Sequence, residues 1–363
     1  TDKAIFLHDF LVFYKNNAIF VTNITYLENL KTNSMKKSLL KIALGFVSIA
    51  AALTSFGQTY NFTNAAASGA SGPTQAQINA AYTGGNTLTG NVSINTQGIQ
   101  EWTVPASGNY SITGVGACGG EGQGTYFPGK PGTGATISGD FSLTAGTVLK
   151  IVVGQKGEYS NNGSGGGGGS FVFTGAPNGA GVLLVAGGGG GHGHGTAGAA
   201  TGALGGGGSA TTAQVNSTAG NGNGASGGVG QGGLAGVGCS ASGHGSGGAG
   251  WLSNGVNATC GTSTGGSSTT FVGGSSGQPS VGGFGGGGGT DGNGTPGGGG
   301  GGYTGGGGGN TWTGTFWGAG AGAGGEDGRG RRRVRDAKAR PSNRRYSRES
   351  RKLSNKSFDL LML

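Results

Sequence analysis

The sequence predicts a mainly β fold, a sandwich or jelly roll joined to a bundle of threefold glycine helices, with disordered termini. Three observations carry this. Short alternating segments recur over 58–157 with turn residues between them. Two further apolar segments, 170–174 and 182–186, each border an uninterrupted glycine run. Glycine supplies 94 of 363 residues against 8 prolines, with no Gly-X-Y period, which excludes collagen.

Taken in order, the body opens with Pro73 and a helical stretch over 74–82, with proline in the first turn and Gly84-Gly85 as the stop. Segments 91–95 and 99–104 alternate as strands. After the turn 105–108 come strands over 110–115, 135–143 and 147–153. Pro177-Asn178-Gly179 lies between the two apolar segments of the glycine region and predicts a hairpin.

A chain this rich in glycine, with only 10% charged residues, has the composition of a flexible linker. The glycine runs, however, are registered to strands: 165–169 precedes the first, 187–191 follows the second, and 205–208, 285–289, 297–302 and 305–309 come later. Without a Cβ, such runs can form extended threefold helices whose N–H and C=O groups all point outward. Packed side by side, they satisfy one another. At roughly 3.1 Å per residue a five-glycine run reaches about 15 Å, the scale of a small domain's interior.

The formal charge of +9 is a property of the ends. All ten arginines lie between Arg329 and Arg351, whereas 58–325 holds three lysines and five acids. The body therefore gives no electrostatic reason to expect a nucleic-acid partner. Residues 35–57 read as a cleavable secretory signal: Met35-Lys36-Lys37, a short apolar run, then small residues at Ser55 and Gly57. The run 42–53 is too short to span a bilayer, which takes about 20 residues, so the mature chain is expected to carry no transmembrane helix. Residues 1–34 read as translation upstream of the true start. The tail 329–363 reads as a disordered basic extension or as a frameshifted message. The fold is expected over 58–328.

Gly72-Pro73-Thr74-Gln75-Ala76-Gln77 with Tyr82, then Gly98-Ile99-Gln100 with Trp102, Val104-Pro105-Ala106 and Tyr110-Ser111-Ile112, form an ordered set. LKIVVGQKG over 149–157, Phe171-Val172-Phe173, Leu183-Leu184-Val185-Ala186, Gly282-Gly283-Phe284 and Gly301-Gly302-Tyr303-Thr304-Gly305 continue it. This order resembles the glycine-rich ligand-binding domain of the anaplastic lymphoma kinase and leukocyte tyrosine kinase receptors. The resemblance implies a tumour-necrosis-factor-like β-sandwich joined to glycine helices, in a domain that binds protein ligands. No kinase domain is expected, so the resemblance does not imply signalling, and the Met-Lys-Lys signal looks bacterial.

Catalytic and metal chemistry find little support. Gly124 to Lys130 matches the start of a phosphate loop, but Pro131 stands where a hydroxyl residue must hold Mg²⁺. His192, His194 and His244 sit in glycine, where a solvated turn is the expected setting. Asp291 and Asn293 lack the repeat of a calcium β-roll. No cofactor or metal site is expected, and the chain is read as a non-enzyme. Cys118, Cys239 and Cys260 suit an exported protein, with Cys239–Cys260 the candidate bridge. Trp251, Trp312, Phe316 and Trp317 are candidate recognition aromatics, or else caps of the glycine bundle. The functional expectation is a secreted or cell-surface binding or adhesion module for an extracellular protein or glycan. The alternative is a structural matrix protein that uses glycine rods for rigidity.

Overall fold

The computed structural model describes residues 58–121, 131–159, 163–193, 227–236, 244–259, 261–275, 280–291 and 296–309, together with the backbone of five further strands. The chain divides into two units, Thr1–Phe56 and Gly57–Leu363. The first holds a three-stranded antiparallel sheet of β1 (Lys3–Leu7), β2 (Phe10–Lys15) and β3 (Ala18–Thr22). These strands fall in the stretch that the sequence sets apart from the body. The signal segment 35–57 lies outside the described residues.

The second unit is mainly β. Among the described residues it holds one helix, α1 (Gln75–Ala81), which starts one residue later than the proline pattern suggests. Thr74 is the N-cap: its hydroxyl accepts from the Gln77 N–H at 3.4 Å, and the Gln77 side chain accepts from the Thr74 N–H at 2.9 Å. This reciprocal box satisfies two end groups that a helix leaves open, so Pro73 precedes the cap.

Strands β5 (Val92–Thr96), β6 (Ile99–Thr103), β9 (Val148–Val152), β10 (Ser170–Phe173), β11 (Val182–Ala186) and β12 (Glu326–Asp327) make a six-stranded sheet in the order β12-β11-β10-β9-β6-β5. Every neighbouring pair in it is antiparallel. A four-stranded sheet has the order β4-β13-β7-β8, from β4 (Gln58–Phe62), β7 (Gly108–Val115), β8 (Thr136–Leu143) and β13 (Ser357–Met362). β12 and β13 bracket the basic segment 328–356, which lies outside the described residues. β13 falls within the tail 329–363 that the sequence reads as disordered or frameshifted, yet its backbone pairs with β4 and β7. Among the described residues no helix is long and apolar enough to cross a membrane.

The period-2 alternation of these strands decides what goes where. Tyr60, Phe62, Trp102, Tyr110, Ile112, Phe141, Leu149, Ile151, Val172 and Leu184 come from both sheets and form one core between them. All four residues of β10 are buried. Val172 joins that core, while Phe171 and Phe173 project from the opposite face into a second cluster with Ile99, Val152, Val185, Trp251, Phe271 and Phe284. The six-stranded sheet is therefore covered on both faces. Trp251, Phe271 and Phe284 reach the second face from the glycine-rich segments.

Those segments are ordered by their backbones. The N–H groups of Gly165 and Gly168 donate to Glu158 and Gln155, those of Gly166 and Gly169 to Gly288 and Gly285, and that of Gly167 to Gly189. Every third donor thus meets the same neighbouring segment. The period recurs elsewhere: Gly298 and Gly301 donate to Ser164 and Gly167, Gly299 and Gly302 to Ser246 and Ala249, and Gly188 and Gly191 to Gly301 and Gly298. Residues 164–169, 187–192 and 297–302 are buried throughout. Pairing of these amides removes the cost of burying bare peptide groups. The same close approach excludes side chains. A β-carbon on Gly166, Gly188 or Gly298 would lie under 3.0 Å from a backbone carbonyl of the next segment.

Candidate functional site

β4 and β5 are edge strands of different sheets, and a cleft of about 560 Å³ opens beside them. Its lining includes Tyr60 and Trp102, whose ring centroids stand 4.5 Å apart. Both rings are nearly buried, at 4% and 2% exposure, so they form a floor and not a stacking platform. Burial pushes the Tyr60 phenol above its ordinary range, with Tyr110 beside it adding to the effect.

The polar lining comes from Gln58, Thr87, Asn91, Ser93, Glu101 and Thr103. Glu101 is held from two sides. It pairs across the strands with Lys150 at 3.6 Å and accepts from Asn95 Nδ2 at 2.7 Å. Helix α1 buttresses the same region: Gln75 Oε1 accepts from the Ile94 N–H at 2.7 Å, and its Nε2 donates to the Val92 carbonyl at 3.2 Å. The cleft is thus lined by hydrogen-bonding groups from strands of both sheets, with Glu101 held in place by Lys150 and Asn95.

The sequence-predicted residues lie elsewhere. Trp251 is 1% exposed, stacked on Phe171 with centroids 6.0 Å apart and edge-on to Phe173 at 5.2 Å. Its Nε1 donates to the Gly179 carbonyl at 2.9 Å in the β10–β11 hairpin. This corrects the reading of Trp251 as a recognition aromatic: burying its ring against the second face of the six-stranded sheet leaves it no surface to present. Trp312, Phe316 and Trp317 lie outside the described residues, as do Cys239, Cys260 and His194. Cys118 is a half-buried free thiol.

His192 and His244 are buried, at 3% and 0% exposure, where the sequence suggests a solvated turn. The reason is that 187–192 and 244–250 are packed segments of the glycine lattice. Among the described residues no group of three or more His, Cys, Asp or Glu side chains could hold a metal ion. Asp291 instead links two segments, its Oδ1 accepting from the N–H and hydroxyl of Thr262 at 3.2 and 2.9 Å. The cleft residues escape sequence reasoning because they come from four separate segments between Gln58 and Val148. The edge position of β4 and β5 is the signal that marks them.

A stretch of 98 residues, 27% of this chain, is 39% identical to the leukocyte tyrosine kinase receptor of Mus musculus and covers 11% of that receptor. The chain therefore matches only about a tenth of that relative's length. No protein-family profile matches the chain.

Proposed function

We propose that the body is a secreted or cell-surface binding module without catalysis, built as a tumour-necrosis-factor-like jelly roll on a bundle of polyglycine helices. The observation that carries the binding role is the partial identity to a receptor tyrosine kinase. It joins a cleft lined by neutral hydrogen-bonding groups and a single paired carboxylate. The three-residue period of the glycine hydrogen bonds supports the helix assignment, because a threefold helix presents every third N–H in the same direction. The two packed sheets support the sandwich. The signal-like segment at 35–57 supports export, and its Met-Lys-Lys start a bacterial source.

The partner class is an extracellular protein or glycan. The test is a pull-down from extracellular and surface fractions with the immobilised chain from Gln58 onward, beside an Asn91→Lys, Ser93→Lys variant. Capture that the variant loses supports the reading. Capture by neither sinks it.

The density of the glycine lattice favours a second reading, a structural surface protein whose rods supply rigidity. That reading predicts self-association without a discrete partner, which light scattering on the purified chain distinguishes.

A further inference from the structure

β4 and β7 do not pair with one another. Each pairs in parallel with β13, which lies between them, and β4 has no other partner among the described strands of its sheet. The two flanking strands are nonetheless anchored from behind: Tyr60, Phe62, Tyr110 and Ile112 are each at most 4% exposed in the core between the sheets. A one-strand slot therefore exists between them, its walls carrying ladder N–H and C=O groups that a strand must satisfy. β13 meets this need by register. Leu360 stands opposite Tyr60 and Ile112, and Phe358 opposite Tyr110, while Asp359 stands opposite Thr59 and Ser111. Phe358, Leu360 and Met362 thus share the register of Tyr60, Phe62, Tyr110 and Ile112, and Asp359 that of polar residues, although Phe358 also faces Gln58 and Leu361 stands between Asn61 and Thr113.

The donor is parallel to both of its neighbours, so its departure breaks no hairpin. Its connection to the rest is the segment 328–356, which carries every arginine in the sequence.

We propose that the β4–β7 slot is a strand-acceptor site for an extended peptide with apolar residues at alternate positions. The chain's own Ser357–Met362 fills it in cis, and the same segment of a second copy fills it in trans. Both modes make the same backbone and register contacts, so the balance is set by the effective concentration of the tethered strand against that of free chains.

The test uses the full chain and a labelled peptide covering 355–363. The chain carrying Leu360→Asp should bind this peptide at least about tenfold more tightly than the unaltered chain, whose slot is occupied. A peptide carrying the same substitution should bind neither. If Leu360→Asp unfolds the chain, addition of the unaltered peptide should restore its cooperative melting. In parallel, differently tagged unaltered chains, mixed and incubated, should exchange into co-purifying oligomers as concentration rises. A Leu360→Asp chain that melts as the unaltered one does and takes up no peptide would overturn the proposal. So would an unfolded variant that the peptide fails to restore, or tagged chains that never exchange.

Discussion

The α-carbon of Gly168 packs against the carbonyl of Phe284 so closely that no β-carbon fits between them. The Gly168 N–H at the same point donates to the Gln155 carbonyl at 3.0 Å, and its carbonyl receives the Ala117 N–H at 2.9 Å. Backbone, not a flexible side chain, would have to move. Gly168→Ala is expected to cost on the order of 3 kcal/mol. Gly228 is the control, since a β-carbon there meets only the Gln231 side chain at 3.8 Å. Gly228→Ala should stay within about 0.5 kcal/mol in urea unfolding. Equal effects of the two would contradict the lattice.

The aromatic cluster on the second face of the six-stranded sheet predicts a dependence on residues far from the sheet in sequence. Phe284 is fully buried, its ring seated against Gly72 and Gly98. Gly98 has φ +89 in the turn between β5 and β6, so this position needs glycine for both its conformation and its space. Phe284→Ala or Trp251→Ala should each destabilise by about 3–5 kcal/mol. Trp251→Phe should cost less, about 1–2 kcal/mol, through loss of the bond to the Gly179 carbonyl. Thermal melts of the three variants check the order.

Tyr82 ties the end of α1 to the six-stranded sheet. Its hydroxyl donates to Gln100 Oε1 at 2.7 Å and accepts from the Thr63 N–H at 2.9 Å, while Gln100 Nε2 donates to the Thr63 carbonyl at 2.8 Å. Tyr82→Phe keeps the ring but strips a partner from two groups in a buried network. A loss of about 1–3 kcal/mol is expected, read as a lower midpoint in urea with an unchanged slope.

Much of the β framework is legible in the amino-acid sequence. Segment 182–186 is strand β11 residue for residue, and 170–174 differs from β10 by one end residue. Alternation and short turns encode such strands locally. The burial of Trp251, Phe271 and Phe284 is not encoded locally, because a lone aromatic among glycines has no period to reveal a face. Phe271 even takes φ +57, its carbonyl receiving the N–H groups of both Gly285 and Gly286. The threefold pairing of glycine segments is a long-range property, and the cleft follows from which strands end at sheet edges.

The phenols of Tyr60, Tyr82 and Tyr110 give a pH dependence with a definite sign. Burial raises each above its ordinary value of 10.0. For Tyr82 the bonds with Thr63 and Gln100 oppose the rise in part, as does the bond to Ala106 for Tyr110. The folded chain therefore holds these protons more tightly than the unfolded chain. Their contribution is fully present below about pH 10 and is lost as pH climbs through the raised values. Melting temperature should fall above that point, less steeply in Tyr82→Phe than in the unaltered chain. A rise there would contradict the assignment.

Amide hydrogen exchange across the glycine runs tests the central claim most directly. If 165–169, 187–191 and 297–302 are paired segments of one folded lattice, their amides should be protected to the same degree as those of β9 and β10. Exchange of these glycines at the rate of an unstructured chain, while the strands stay protected, would contradict it.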